Sequence, residues 1–312
     1  MKKIFLLLIT IFLSLTSLAS SDSTWVMVRI PVACIRADRS HSSEMTSQAI
    51  LGTPLLVKGS PEAEWLSIES PDGYKGFMIS TSVTPMTHKQ MLQWREAPRV
   101  VVSAGPEVIV TDSAGARVSE LVAGSIVEGI LTEGDSMVSV TLPDGRKGTA
   151  PAARFSEISR WADQPFDADR ILASARALMG APYLWGGMST KAVDCSGLVR
   201  VAYFDSGIIL RRDASQQIHT GIKIPAAETR SLRRADLLFF SYVPGGRISH
   251  VALYDADGVY VHSSGLVKEN RMVADDPDFS HRVYRGASRI DGAIPSAGIT
   301  RVINHPWYFN IK

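Results

Sequence analysis

The sequence Pro-Asp-Gly-x-Lys-Gly occurs twice in this chain of 312 residues, at 71–76 and at 143–148. In both copies an apolar run, a polar turn and a run of alternating apolar and polar residues precede it, and another strand-like run follows. Short alternating runs separated by Asp-Gly turns are typical of β-hairpins, and about five such strands form a small barrel. The repeat therefore predicts two small all-β barrels, at 25–85 and 99–157.

A short helical connector is predicted between the two barrels, at 86–98. Thr87 can cap the start of the helix, and Pro98 ends it. The segment contains Trp94 and has no run of Gly and Ser. We therefore expect a packed connector rather than a flexible linker.

The pattern changes after residue 166. Apolar residues at helical spacing followed by a Gly predict a helix over 168–180. A second helical pattern begins at or just before Cys195, after a polar loop that contains Gly186 and Gly187. The partial positive charge at a helix N-terminus favours a thiolate, so we expect a lowered pKa for this cysteine. Cys195 is the candidate nucleophile, and a cysteine packed in an amphipathic helix is the alternative.

A cysteine nucleophile needs a base, and His is the usual residue in that role. Of the seven histidines, His250 and His262 stand in two strand-like runs joined by a short polar turn. We predict an antiparallel hairpin whose loop, 255–257, is closed by Tyr254 and Gly258. In that register the two imidazoles are directly opposed on one face of the sheet, and one ring can orient the other.

A zinc site is another interpretation of Cys195, His250 and His262, because these residue types bind zinc. We disfavour it, since no acidic residue stands at a spacing that would support the histidines and cysteines in zinc sites commonly come in pairs. We therefore expect neither a metal nor another cofactor. No catalytic role is assigned to the other five histidines, His41, His88, His219, His281 and His305.

Five motifs in family order resemble the NlpC-type family of papain-like cell-wall cysteine peptidases. They are APYLWGG, VDCSGLV, RRADLLFF, ISHVALY and VHSSG, and the similar region covers about 166–312. The resemblance implies an α+β papain-like fold in which Cys195 attacks an amide, His250 is the base and His262 orients it. It also implies three substrate-binding residues near the nucleophile, Tyr183, Asp194 and Ser196. The expected fold class is thus multidomain, with two small all-β SH3-like barrels followed by an α+β papain-like cysteine peptidase domain.

Both barrels resemble bacterial SH3-like domains, and the whole chain is similar to the subgroup of γ-D-glutamyl-L-diamino-acid endopeptidases of the dipeptidyl-peptidase VI type. These enzymes cleave peptidoglycan stem peptides after L-Ala-γ-D-Glu and require a free N-terminal L-Ala. In the subgroup, the first SH3-like domain contributes an acid from an H-x-x-E motif and a Tyr after an Asp-Gly turn. Here those residues are Glu44 and Tyr74, and the second barrel has Arg146 instead of the Tyr.

Four alternatives remain open from the sequence. Glu44 and Tyr74 could be a solvated carboxylate and a tyrosine packed on its own barrel, and the barrels could be spacers without a ligand. The enzyme could be a papain-fold amidase or acyltransferase with another amide substrate. The chain could also be a non-catalytic wall-binding protein, although its candidate catalytic residues are all present.

The first residues predict a signal peptide at 1–19, with Lys2 and Lys3 followed by about a dozen apolar residues and a small-residue cleavage site. An uncleaved anchor is the alternative, but the run is shorter than the roughly 20 residues that span a bilayer. We expect an exported protein, periplasmic or extracellular, without membrane insertion after cleavage. Cys34 lies in an apolar run and is expected to be a buried free thiol rather than a disulfide partner of Cys195.

The charge balance bears on the partners. The chain has 33 Lys and Arg against 31 Asp and Glu, and loss of the two leader lysines makes these numbers equal. A nucleic-acid-binding protein would need a basic excess, so we exclude that class of partner. The expected partners are peptidoglycan-derived muropeptides or free stem peptides, and the expected state is a monomer.

Overall fold

The structure is a computed structural model that describes residues 24–310, so the predicted signal peptide at 1–19 lies outside the described residues. The first β-rich domain is a seven-stranded antiparallel sheet made of β1 (Thr24–Val28), β2 (Val32–Arg36), β3 (Met45–Ile50), β4 (Pro54–Lys58), β5 (Trp65–Glu69), β6 (Lys75–Ile79) and β7 (Val83–Met86). The strand order is β3-β2-β6-β5-β4-β1-β7. Alternate residues of these strands are buried and form the core of the domain, among them Val26, Leu55, Leu66 and Met78.

The second β-rich domain repeats this architecture strand for strand. It consists of β8 (Arg99–Val102), β9 (Val108–Thr111), β10 (Arg117–Leu121), β11 (Ile126–Gly129), β12 (Met137–Thr141), β13 (Lys147–Pro151) and β14 (Phe155–Glu157), in the order β10-β9-β13-β12-β11-β8-β14. The repeated Pro-Asp-Gly turns join β5 to β6 and β12 to β13. Gly73 and Gly145 in these turns have φ of 78° and 84°, a conformation that Gly adopts without steric cost.

Helix α1 (His88–Glu96) lies between the two β-rich domains. Thr87 and Gln90 form a capping box, in which the Gln90 amide donates to Thr87 Oγ1 at 3.2 Å and the Thr87 amide donates to Gln90 Oε1 at 2.8 Å. Trp94 is buried in a core that both β-rich domains and the C-terminal residues share. The connector is therefore packed between domains.

The C-terminal part has an α+β fold. It contains α2 (Ile158–Ala162), α3 (Ala168–Arg176), β15 (Met188–Ser189), β16 (Ala192–Val193), α4 (Cys195–Asp205), β17 (Ile208–Leu210), α5 (Ala214–Gln217), β18 (Ile222–Ile224), β19 (Leu237–Ser241), β20 (His250–Tyr254), β21 (Val259–Ser264), β22 (Leu266–Arg271), α6 (Pro277–Ser280), β23 (Val283–Arg289) and β24 (Ile299–Arg301). The main sheet is antiparallel, in the order β18-β23-β19-β20-β21-β22, and α3 and α4 pack together beside it. The predicted fold class is confirmed.

Helix α3 is shorter than the predicted helix over 168–180. It ends at Arg176, and the next turn is tighter because the amides of Leu178 and Met179 donate to carbonyl groups three residues before them. Gly180 then reverses the chain with φ of 82°. The apolar spacing continues through this last turn, which is why the pattern extends beyond the helix. No helix within residues 24–310 is long and apolar enough to cross a bilayer.

The predicted register of the β20–β21 hairpin is wrong. Tyr254 pairs with Tyr260, whereas a loop at 255–257 would pair it with Gly258. The turn is two residues longer because Asp257 and Gly258 both adopt the left-handed conformation, with φ of 51° and 77°. A shift of two residues leaves side chains on the same face of a sheet. His250 and His262 therefore remain on one face, as diagonal neighbours rather than a directly opposed pair.

The first β-rich domain docks on the loop that precedes α4. Met188 donates its amide to Gln48 Oε1 at 2.9 Å. Gly186 has φ of 79°, and a Cβ there would lie 2.5 Å from the carbonyl oxygen of Met45 on β3. An ion pair of 3.3 Å between Arg200 on α4 and Asp72 joins the same two domains. These contacts bring β3 to the edge of the region around the candidate nucleophile.

Candidate active site

A cleft of about 950 Å³ lies between the first β-rich domain and the α+β domain. Seven of the eight predicted site residues line it, namely Glu44, Tyr74, Tyr183, Asp194, Cys195, Ser196 and His250. The eighth, His262, is fully buried and lies behind His250. The structure thus brings together residues from two domains that are separated by more than a hundred positions in the sequence.

Cys195 is the first residue of α4, as the sequence pattern predicts. Asp194 caps the helix by accepting the Gly197 amide at 2.7 Å. A Cβ on Gly197 would lie 2.0 Å from the carbonyl oxygen of Gly187, so the start of the helix packs directly on the preceding Gly-rich loop. The helix also packs against β20, which begins at His250.

The expectation of a lowered cysteine pKa is wrong for the substrate-free protein. Burial raises the pKa of Cys195 to about 11, and the Asp194 carboxylate adds to the increase. Hydrogen bonds from the backbone of Val251 and Ser196 act in the opposite direction but are weaker. The side chain is only 7% exposed, and the loss of hydration outweighs the partial charge of the helix N-terminus. The resting group is therefore a thiol.

Asp194 is held by a buried arginine that the sequence analysis missed. Arg212, 1% exposed, approaches Asp194 Oδ2 at 2.5 Å and donates to Ser196 Oγ at 2.8 Å and to Ser47 Oγ on β3 at 3.0 Å. The amide of Gly186 also donates to Asp194, at 2.9 Å. Both carboxylate oxygens thus have protein partners. The main role of Asp194 and Ser196 is therefore to hold the shape of the cleft. No local spacing in the sequence points to Arg212.

The two histidines are in direct contact. His250 Nε2 and His262 Nδ1 are 2.8 Å apart, and His262 Nε2 lies 2.8 Å from Asn270 Oδ1 on β22. Burial lowers the pKa of His250 well below 6.5, and the neighbouring His262 contributes. Burial also lowers the pKa of His262, to about 4, although the bond to Asn270 opposes this. Both rings are therefore neutral at pH 7.

This arrangement can perform general-base chemistry. A neutral imidazole and a thiol share one cleft, so the imidazole can take the thiol proton as the sulfur attacks a substrate carbonyl. Both nitrogens of His262 are already engaged, which leaves none for a zinc ion. Among residues 24–310, no group of three or more His, Cys, Asp and Glu side chains is arranged to bind a metal.

The first β-rich domain contributes an acid and a phenol to the cleft. Glu44 is exposed, and its Oε1 accepts a hydrogen bond from Trp185 Nε1 at 2.7 Å. Burial raises the pKa of Tyr74 above its usual value of 10. Burial likewise raises the pKa of Tyr183, with a smaller contribution from Cys195. Both phenols are therefore neutral hydroxyl groups that can donate to a substrate. Trp185 lies within the APYLWGG motif, but nothing in the sequence predicts its contact with Glu44.

Comparison with known proteins identifies this region. Residues 180–283 match the NlpC/P60 family, and they include Cys195, His250 and His262. A γ-D-glutamyl-L-lysine dipeptidyl-peptidase of Bacillus cereus is 25% identical over 260 residues, which cover 80% of this chain and 76% of the relative. Dipeptidyl-peptidase 6 of Lysinibacillus sphaericus is 27% identical over 267 residues, which cover 81% and 92%.

The fold of most of the chain is also shared with a solved structure. The crystal structure of an NlpC/P60 family protein from Bacillus cereus matches with a TM-score of 0.74 and 20% sequence identity, over 85% of this chain and 99% of that protein. The agreement extends through both β-rich domains, because the matched share is far larger than the α+β domain alone. With the family match at residues 180–283, the C-terminal part of this chain contains an NlpC/P60 domain, and the protein is a hydrolase of the peptidase class.

Proposed function

We propose that the protein is a cysteine endopeptidase that hydrolyses the amide bond between γ-D-Glu and the diamino acid of peptidoglycan stem peptides with a free N-terminal L-Ala. The observation that carries the proposal is the composition of the cleft, in which Glu44 and Tyr74 of the first β-rich domain face the same space as Cys195 and His250. The similar dipeptidyl-peptidases support the choice of bond. The predicted leader at 1–19 supports action outside the cytoplasm.

In the first half of the reaction, Cys195 Sγ attacks the γ-carbonyl carbon of D-Glu while His250 takes the thiol proton. The C–N bond of the amide then breaks, and the imidazolium returns the proton to the amine of the diamino acid, which leaves. The product is a thioester between Sγ and the γ-carbon. Because the resting thiol and imidazole are both neutral, proton transfer accompanies attack rather than preceding it.

In the second half, the same imidazole takes a proton from water, and the resulting hydroxide attacks the thioester carbon. The C–S bond breaks, the sulfur recovers its proton from His250, and L-Ala-γ-D-Glu leaves with a new γ-carboxylate. His262 remains hydrogen-bonded to His250 throughout and keeps its ring oriented. Water is the only co-reactant that these steps need.

Substrate selection depends on the N-terminal amine. An α-ammonium has a pKa near 8 and is positively charged at neutral pH. It can therefore pair with the Glu44 carboxylate and be oriented by donating a hydrogen bond to the Tyr74 hydroxyl oxygen. Trp185 holds one oxygen of Glu44 and leaves the other for the substrate. An N-acetyl group or an attached amino sugar removes the charge and adds bulk at this position.

The test compares L-Ala-γ-D-Glu-L-Lys with its N-acetylated form, with mass spectrometry of the products. We expect cleavage of the free tripeptide after D-Glu, little cleavage of the acetylated one, and none with the Cys195→Ala variant. Equal cleavage of both peptides would contradict the proposed pairing of Glu44 with the N-terminal amine. Release of another fragment would favour an amidase with a different substrate, and the absence of any turnover would favour a wall-binding protein.

A further inference from the structure

Four side chains form one hydrogen-bonded row behind the candidate nucleophile. His250 Nε2 lies 2.8 Å from His262 Nδ1, and His262 Nε2 lies 2.8 Å from Asn270 Oδ1. Asn270 Nδ2 then donates to both oxygens of Asp276, at 2.9 and 2.8 Å. The row leads from the buried imidazoles to a half-buried carboxylate at the start of α6.

Asp276 is a fixed acceptor. Its carboxylate accepts the backbone amides of Arg271 at 2.9 Å, Asp278 at 3.0 Å and Phe279 at 3.1 Å, which caps α6. Burial alone would raise its pKa, but these bonds and the one from Asn270 keep the pKa of Asp276 below its usual value. At neutral pH the group therefore carries no proton and only accepts hydrogen bonds.

This acceptor determines which way the Asn270 amide faces. With the amide reversed, its oxygen would lie within 3 Å of two carboxylate oxygens and no proton would separate them. Asn270 therefore presents its oxygen to His262, and His262 Nε2 must carry a hydrogen to donate to it. A neutral imidazole has one N–H, so His262 Nδ1 is an acceptor.

The same constraint passes to the next ring. Since His262 Nδ1 is an acceptor, His250 Nε2 must be the donor in the 2.8 Å contact between them. His250 Nδ1 then has a free lone pair. Asp278 and Arg282 lie near these rings, but among the described residues neither is hydrogen-bonded to an imidazole nitrogen. The row is therefore the structural feature that selects the tautomer.

We propose that Asn270 and Asp276 are positioning residues that hold His250 as the Nε2–H tautomer, with Nδ1 as the basic nitrogen for the nucleophile. This inference rests on the proposed function for the role of His250 as base. With the other tautomer, Nδ1 would carry a hydrogen and could not take the thiol proton. Both residues act through His262, and neither lines the cleft.

The direct test is nitrogen NMR of the full chain labelled with ¹⁵N-histidine, above pH 7 and without substrate. The correlation of ring hydrogens with each nitrogen distinguishes the two neutral tautomers. We expect both His250 and His262 to be in the Nε2–H form. The spectrum of His262→Gln lacks the signals of that ring and so assigns them. A hydrogen on Nδ1 of His250 would overturn the proposal. Because no turnover is needed, this result is independent of whether the tripeptide is cleaved.

Two variants test the effect on activity. Asn270→Leu keeps the approximate shape but removes the acceptor, so we expect mixed tautomers and a fall in kcat of about tenfold or more with KM unchanged. Asp276→Asn can still cap α6 but no longer forces the Asn270 amide to face one way, so a smaller fall is expected. Asn310→Leu, at an exposed site outside the cleft, is the matched control, and its histidine tautomers and kcat should equal those of the wild type. Wild-type tautomers and kcat in Asn270→Leu would contradict the proposal.

Discussion

Glu44 on the first β-rich domain accepts a hydrogen bond of 2.7 Å from the indole of Trp185, which stands ten residues before Cys195 in the sequence. The bond holds Glu44, which among residues 24–310 is the one carboxylate that this domain contributes to the cleft. Glu44 lies on the wall of the cleft that the first β-rich domain forms, whereas Cys195 belongs to the α+β domain. A substrate that pairs its amine with Glu44 and its carbonyl with Cys195 must therefore span both domains.

Glu44→Gln should lower kcat/KM for the free tripeptide by about tenfold. A charge-assisted contact contributes about 1.5 to 3 kcal/mol, and solvent exposure at Glu44 places the effect at the lower end of that range. The amide retains an acceptor for Trp185, so the thermal unfolding midpoint should not change. Steady-state kinetics with the tripeptide provide the measurement. Glu62→Gln, an exposed glutamate of the same domain, is the matched control, and an equal loss in both variants would refute the pairing.

Cys195→Ala should abolish turnover and leave the fold intact. Loss of the nucleophile in a catalytic unit costs several orders of magnitude in rate, and the removed sulfur leaves only a small space beside α4. Cys34→Ala removes the other cysteine of the chain, which lies on β2 away from the cleft, and should keep full activity. Product formation by both variants is measured beside their circular dichroism spectra. If Cys195→Ala retains one tenth or more of the wild-type activity, a cysteine mechanism is excluded.

His250→Ala should be nearly as damaging as loss of Cys195, and His262→Ala should be milder. The first variant removes the group that transfers the proton, whereas the second removes a ring that holds it in place. We expect kcat to fall by several orders of magnitude in the first case and less in the second, with His219→Ala as an exposed control. If His262→Ala is the more damaging of the two, the assigned roles are reversed.

Local sequence signals account for most of the fold. The Pro-Asp-Gly repeat predicts two domains of the same topology, and Thr87 and Pro98 predict the helix between them, because turns and caps depend on residues a few positions apart. The hairpin after His250 is different. A three-residue and a five-residue turn both suit its Asp and Gly residues, and the left-handed conformation of Asp257 decides between them. Asp tolerates the left-handed conformation but does not require it, so the turn sequence leaves both lengths open.

The candidate site is predictable only in part, for a similar reason. Motif resemblance predicts the positions that line the cleft, but the pKa of Cys195 depends on its burial and on Asp194, which a helix-terminus argument does not include. Arg212 is 165 positions from Ser47, and Asn270, although only eight positions from His262, belongs to none of the motifs. Their contacts arise from the tertiary fold, so single-sequence reasoning has no signal for them.

His305 should make stability depend on pH. Its Nε2 donates to the carbonyl oxygen of Pro71 at 2.8 Å, and its Nδ1 accepts the Trp307 amide at 3.2 Å. Burial lowers the pKa of His305 below 6.5, although the bond to Pro71 opposes this. The unfolded chain then binds the proton more readily, so this stabilisation is complete above pH 6.5 and decreases as the pH falls below it.

The measurement is the difference in thermal unfolding midpoint between wild type and His305→Gln, at pH 8 and at pH 5. We expect the difference to be smaller at pH 5, since the wild type alone loses the contribution of this residue. Gln93→Ala, at an exposed position on α1, changes a side chain that does not titrate and should differ from wild type by the same amount at both values. A difference for His305→Gln that does not change with pH would contradict the expected shift.

The most direct test of the proposed function is the identity of the bond that is broken. The protein is incubated with L-Ala-γ-D-Glu-L-Lys in water enriched in ¹⁸O, and the products are identified by mass spectrometry. We expect free L-Lys and L-Ala-γ-D-Glu, with one ¹⁸O in the γ-carboxylate of the dipeptide, because water resolves a thioester at that carbon. Release of free L-Ala, or an intact tripeptide after prolonged incubation with folded protein, would contradict it.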